Sequence, residues 1–170
     1  MTEPDTPASE DPRAVLRLQG ADDCAAMALR LLQSARERVR ILPQRADLRY
    51  LAADAVIEAL RGVLLGNRRA RLEILLPPEV ARDDHGRALW NLAQRLTSFV
   101  AVHRLADADA QVGEAWLTVD ERGYLHRAQV ERLEALASLE QPTRARDLNQ
   151  RFASLWLAST PEPELRRLGV

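Results

Sequence analysis

Apolar residues recur every three or four positions between about Asp22 and Arg36. Cys24, Ala28, Leu31 and Ala35 fall on one face, joined by Met27 and Leu32, which predicts a helix with one buried side. Asp22 and Asp23 stand at its positive end and Arg36 near its negative end, as the helix dipole favours. The period then changes. Arg38-Val39-Arg40-Ile41-Leu42 alternates and stops at Pro43, which predicts a short strand, followed by a polar, arginine-rich loop from Pro43 to Tyr50. A second helix is predicted from about Leu51 to Leu65, with Val56, Ala59, Leu60, Val63 and Leu64 inward and Gly66-Asn67 as its stop.

Arg71-Leu72-Glu73-Ile74-Leu75-Leu76 predicts a strand closed by Pro77-Pro78. A third helix is expected from about Asp84 to Thr97, then a strand over Phe99 to Arg104. Ala115 to Val119 and Tyr124 to Ala128 are β-like runs joined by Asp120-Glu121-Arg122-Gly123, which suits a hairpin. Leu133 to Leu139 reads as a further strand, although its composition also allows helix. A last helix from about Thr143 to Ala158 starts beside Pro142 and puts Leu148, Phe152, Leu155 and Trp156 on its core face. Residues 1–13 read as a disordered leader, residues 14–160 as one domain and residues 161–170 as an irregular tail. Alternation of helix and strand over the first hundred residues predicts an α/β fold with a mostly parallel, mixed sheet flanked by helices.

A chain of 170 residues, 46% apolar and 29% charged, is long enough to bury one core. Net charge is −1, which weighs against general nucleic-acid binding. All 24 basic residues are arginine. Arginine is the better bidentate ligand for phosphate, so anion binding stays open. Cys24 alone supports neither an internal disulfide nor a cysteine-rich metal site, and it reads as a buried structural thiol. The first twelve residues lack the basic start and apolar stretch of a signal peptide, and the apolar runs are too short to span a bilayer. A cytoplasmic, bacterial-type protein without cofactor, metal or membrane is expected.

The stretch Gly113-Glu114-Ala115-Trp116-Leu117-Thr118-Val119-Asp120 resembles the active-site strand of phospholipase D-like domains. That family carries His, one residue, Lys, four residues, then Asp. Here Gly113 stands at the His position, Ala115 at the Lys position, and Asp120 keeps the acid. Val56 to Leu60 through Arg71 to Leu76 resembles the helix and strand before the family's motif, and Leu133–Leu139 with Arg151 to Trp156 resembles the strand and closing helix after it. The resemblance covers roughly residues 22–158 and implies a single phospholipase D-like half-domain. It also resembles an uncharacterised bacterial group with this degenerate motif, some of it called acetyltransferase-related. In the active family one His attacks phosphorus while the Lys side chains hold the phosphate, and neither glycine nor alanine can do so. Asp120 fits turn chemistry, since its carboxylate bonds backbone N–H groups.

The three histidines, His85, His103 and His126, have no metal-ligand spacing. His126, after the hairpin turn, is the weak catalytic candidate, with Asp120 as its partner. Arg38 and Arg40 share a strand face and, with Arg45 and Arg49, form a candidate anion-binding face. Trp90 and Trp116 are candidate anchors of a homodimer interface, because active relatives build one cleft from two halves. The leading expectation is a non-catalytic interaction module that self-associates or takes a protein partner. The alternatives are an anion or nucleic-acid binder using the arginine face, and an acetyltransferase-associated protein or enzyme using other residues.

Overall fold

A computed structural model describes residues 11–163. The expected leader lies outside these residues except for 11–13, and the expected tail except for 161–163. Pro12 and Arg13 are tied down: the Pro12 carbonyl accepts the N–H of Glu140 at 2.9 Å, and the Arg13 carbonyl accepts Gln141 Nε2 at 2.8 Å.

The chain opens with β1 (Leu16–Gln19) and α1 (Gly20–Ser34), then β2 (Arg38–Leu42). A 3-10 turn over Arg45–Asp47 and the short α2 (Leu48–Leu51) follow, then α3 (Asp54–Gly66) and β3 (Arg71–Leu76). Next come α4 (Arg87–Arg95), β4 (Val100–Arg104), β5 (Ala115–Val119), β6 (Gly123–Arg127) and β7 (Glu134–Ser138). The chain closes with α5 (Pro142–Ala158) and the two-residue β8 (Thr160–Pro161). All eight strands of the described residues form one sheet, in the order β1-β7-β6-β5-β2-β3-β4-β8.

The mixed α/β architecture is as expected, but the parallel part is smaller. Only β2·β3 and β3·β4 are parallel, and the other five ladders are antiparallel. The reason is local. Helical crossovers connect β2, β3 and β4, whereas β5, β6 and β7 are joined by connections of three and six residues, too short for a parallel crossover. β1 was not anticipated. Four residues give too short a run, yet Leu18 packs into the core while Arg17 and Gln19 face outward. The loop over 43–50 is more ordered than its polarity suggests, because Gln44 and Asp47 form a reciprocal capping box around the 3-10 turn. The helix expected from Asp84 splits into a 3-10 turn, Asp84–Gly86, and α4.

Two cores follow from sheet alternation. On one face, Val39, Ile41, Leu72, Ile74, Leu117, Val119 and Leu125 pack against α1, α3 and α4 through Leu31, Leu60 and Leu89. On the other, Leu42, Leu75, Trp116 and Tyr124 pack under α5 through Leu148 and Phe152. β5 is covered on both sides and every residue in it is buried. Gly123 is required at its position: a Cβ there would meet the Leu31 methyl at 2.6 Å.

Candidate functional site

The residues around Gly113 to Asp120 divide between the two faces of β5. Ala115 is the Cα partner of Arg127 in the β5·β6 ladder, so both side chains leave the sheet on the same face. Arg127 is fully buried. Its Nε and Nη2 donate to the Asp47 carboxylate at 3.2 and 2.7 Å, and Nη1 donates to the carbonyls of Gln129, Val130 and Arg132. Asp47 also accepts the Tyr50 hydroxyl at 3.0 Å and the Gln44 N–H at 2.8 Å. Beside Ala115 this chain therefore places a buried guanidinium whose three nitrogens are all engaged. Burial, reinforced by Asp47, pushes the Cys24 thiol up and the Tyr50 hydroxyl well above its ordinary range, so neither is a nucleophile near neutral pH. Gly113 has φ +60, the left-handed region that glycine favours.

On the opposite face Glu114 holds a second network. Its carboxylate accepts Arg151 Nη2 at 2.7 Å and Nη1 at 3.1 Å, and pairs with His126 Nε2 at 2.6 Å. Arg144 Nη2 lies 2.9 Å from His126 Nδ1. A guanidinium can only donate, so Nδ1 carries a lone pair and Nε2 carries the proton that it donates to Glu114. The imidazole is thereby fixed as the neutral tautomer. Burial lowers its pKa; the Glu114 hydrogen bond opposes that fall, and the Arg144 charge adds to it. Arg151 holds the Glu114 carboxyl below its ordinary range. The Arg151 guanidinium also lies over the Trp116 ring, 4.8 Å from its centroid, and His126 meets that ring edge-on. Arg144 and Arg151 both project from α5, so this network pins that helix to the start of β5.

Asp120 is at the other end of the strand. It and Glu121 have φ of 52° and 59° and are the two left-handed central residues of a turn closed by the Arg122 N–H donating to the Val119 carbonyl at 3.0 Å. The carboxylate accepts three backbone N–H groups: Arg36 at 2.7 Å, Glu37 at 2.9 Å and Arg38 at 2.8 Å. Those donors belong to the segment entering β2 rather than to its own turn. Asp120 and His126 are at opposite ends of the hairpin, so they form no catalytic pair.

The expected arginine face is divided. Arg38 and Arg40 lie at the start of β2 and approach Glu73 at 3.8 and 3.2 Å. Arg45 and Arg49 lie beyond its other end, against Asp83 and His85. Four arginines close in sequence are separated because β2 runs between them. The tryptophans are separated as well. Trp116 is buried under α5, while Trp90 packs against the other core and caps Gly86. They share no surface: Trp116 is packed within the chain, and Trp90 belongs to the opposite core. His85 is an exposed partner of Asp83, and His103 stacks on Trp156 with centroids 3.8 Å apart.

Glu114, Asp47, Arg127, Arg144 and Arg151 were not singled out from sequence. The spacing of Arg144 and Arg151, seven residues apart on one helix, was the available signal that they share a face. Nothing local links Asp47 to Arg127, 80 residues away.

Comparison with solved structures gives the same architecture. Nuc from Salmonella typhimurium, a phospholipase D family member, matches with a TM-score of 0.66 and 12% identity over 88% of this chain and 97% of that one. NucT from Helicobacter pylori matches with a TM-score of 0.60 and 12% identity over 88% and 98%. TrmBL2, an archaeal chromatin protein whose structure shows a novel mode of DNA binding, matches with a TM-score of 0.65 and 14% identity, over 91% of this chain and 57% of that one. At these identities the likeness establishes a phospholipase D-like fold. No curated protein matches the chain in sequence. A family model, described as Domain of unknown function (DUF7931), matches residues 20–168, and the chain belongs to that family.

Proposed function

We propose that this protein is a non-catalytic binding module on a phospholipase D-like fold. One observation carries the reading: every ionisable group beside the degenerate motif is committed to another protein group. Arg127 is held by Asp47 and three carbonyls, and His126 is held at both nitrogens by Glu114 and Arg144. A nucleophilic imidazole needs a free lone pair facing the substrate. The lone pair of His126 faces Arg144. Purified protein incubated with a chromogenic phosphodiester and with DNA should show no turnover. Hydrolysis that disappears in His126→Ala would overturn the reading.

A second reading concerns what the module binds, and the charge distribution favours a polyanion. Net charge −1 averages over an uneven surface. Arg38 and Arg71 are cross-strand partners at the start of β2 and β3, and Arg36, Arg68 and Arg69 lie exposed beside them. Arg36, Arg68 and Arg69 have no ion-pair partner among the described residues, and Arg71 meets only carbonyls and the Phe99 ring. The likeness to a DNA-binding chromatin protein supports nucleic acid as the polyanion, against the expectation from net charge. Fluorescence anisotropy with labelled duplex DNA tests this. Binding should weaken with salt, and the double variant Arg38→Ala, Arg71→Ala should flatten that dependence. Absence of binding at low salt rejects it.

A further inference from the structure

The α5 face of the sheet is only partly covered. Arg17 of β1, Leu136 of β7, His126 of β6 and Trp116 of β5 are successive cross-strand neighbours, and they form one row on this face. α5 lies over the Trp116 end of that row. At the other end Arg17 is exposed, and Leu136 keeps 42% of its surface in water. Beside them runs a groove of about 310 Å³.

Three arginines from three different elements border this groove: Arg17 from β1, Arg132 from the connection between β6 and β7, and Arg144 from the first turn of α5. None of them is neutralised. Arg17 and Arg132 have no side-chain partner among the described residues, and Arg144 donates to an uncharged imidazole. Arg45, Arg104 and Arg151, by contrast, are paired with the acids Asp83, Glu162 and Glu114. Glu134 is the single carboxylate lining the groove. Three guanidiniums against one carboxylate leave two positive charges unmatched. The first turn of α5 adds the positive end of a 17-residue helix with no side-chain cap. Leu136 supplies an apolar floor.

We propose that this groove binds a small organic phosphate monoester, its dianionic phosphate among Arg17, Arg132 and Arg144 and its apolar part on Leu136. A phosphate monoester carries close to two negative charges near neutral pH, which matches the unpaired charge; a carboxylate carries one. Guanidinium groups bind such oxyanions through paired N–H donors. The site lies on the opposite face of the sheet from Ala115 and is separate from the arginine end of β2 and β3, so it does not depend on the nucleic-acid reading.

Calorimetric titration of the whole chain with inorganic phosphate, phenyl phosphate and benzoate tests the proposal. Phenyl phosphate should bind tightest. The double variant Arg17→Gln, Arg132→Gln should weaken it roughly tenfold to a hundredfold, since two charge-assisted contacts are lost. Both side chains are exposed and unpartnered, so this variant should unfold at the wild-type temperature. Leu136→Ser should abolish the preference for phenyl phosphate over inorganic phosphate, and Arg38→Ala with Arg71→Ala should leave it intact. The proposal fails if no probe binds, if benzoate binds as tightly as phenyl phosphate, or if the Arg17, Arg132 variant binds like wild type.

Discussion

Arg127 and Asp47 meet inside the core through two hydrogen bonds, 2.7 and 3.2 Å long, and each side chain is almost wholly shielded from water. Their contact joins the hairpin to the loop after β2. It lies on the face of β5 that carries Ala115. Both charges of the pair are turned into the core.

Removing one partner of this pair should be costly. Asp47→Ala leaves a buried guanidinium without its counter-ion and should destabilise the protein by about 3–5 kcal/mol. Arg127→Met together with Asp47→Leu should cost much less than the sum of the single changes, because neither charge is stranded. Urea denaturation of the two single variants and the double variant measures this coupling. Additive costs would show that the pair contributes no interaction of its own.

Gly113→His together with Ala115→Lys should not create phosphodiesterase activity. Gly113→His places a side chain on a backbone with φ +60, which glycine tolerates and histidine resists. Ala115→Lys introduces a second cation beside Arg127. The double variant is expected to be less stable than wild type and still inactive on a chromogenic phosphodiester. Measured turnover in it would mean that the cleft is intact apart from its reagents.

Acid should loosen the Glu114–His126 network in two steps. The folded pKa of His126 is lowered from 6.5, so its stabilising contribution is complete above that value and declines as pH falls below it. The folded pKa of Glu114 is lowered from 4.5, so its contribution is lost as pH falls below that value. Both act in the same direction. Melting temperature should begin to fall below about pH 6.5, and His126→Gln should remove the first part of the fall. A flat profile between pH 7 and 5 would contradict the neutral, desolvated imidazole.

The aromatic residues of α5 should differ in weight. Phe152 is fully buried, and Phe152→Ala should cost about 3–5 kcal/mol. Trp156 is only half-buried, stacked between His103 and Phe152, and Trp156→Ala should cost clearly less. Chemical denaturation of the two variants compares them. An equal loss would place the main anchor of the helix at Trp156.

Asp120→Ala should cost about 1–3 kcal/mol, because three backbone N–H groups at the start of β2 lose their acceptor. Hydrogen exchange at Arg36, Glu37 and Arg38 should quicken in the variant. Unchanged exchange there would remove the structural role assigned to this carboxylate.

The sequence by itself determined the main elements from α1 to α5 and the two faces of β5, because alternation and helical periodicity are local properties of burial. Trp116 and Leu117 could be assigned to opposite sides from their adjacency alone, and they pack into different cores. The absence of His and Lys at positions 113 and 115 was also legible directly. Only the tertiary structure decided what occupies their surroundings. Asp47 and Arg127 are 80 residues apart, and Glu114 meets Arg151 across 37, so no local pattern announces either pair. The same holds for the arginines. Arg38 and Arg45 are close in sequence but separated by the length of β2, whereas Arg17, Arg132 and Arg144 are distant in sequence and border one groove. Strand order and antiparallel pairing brought those three residues together, and both are set by long-range packing that periodicity does not encode.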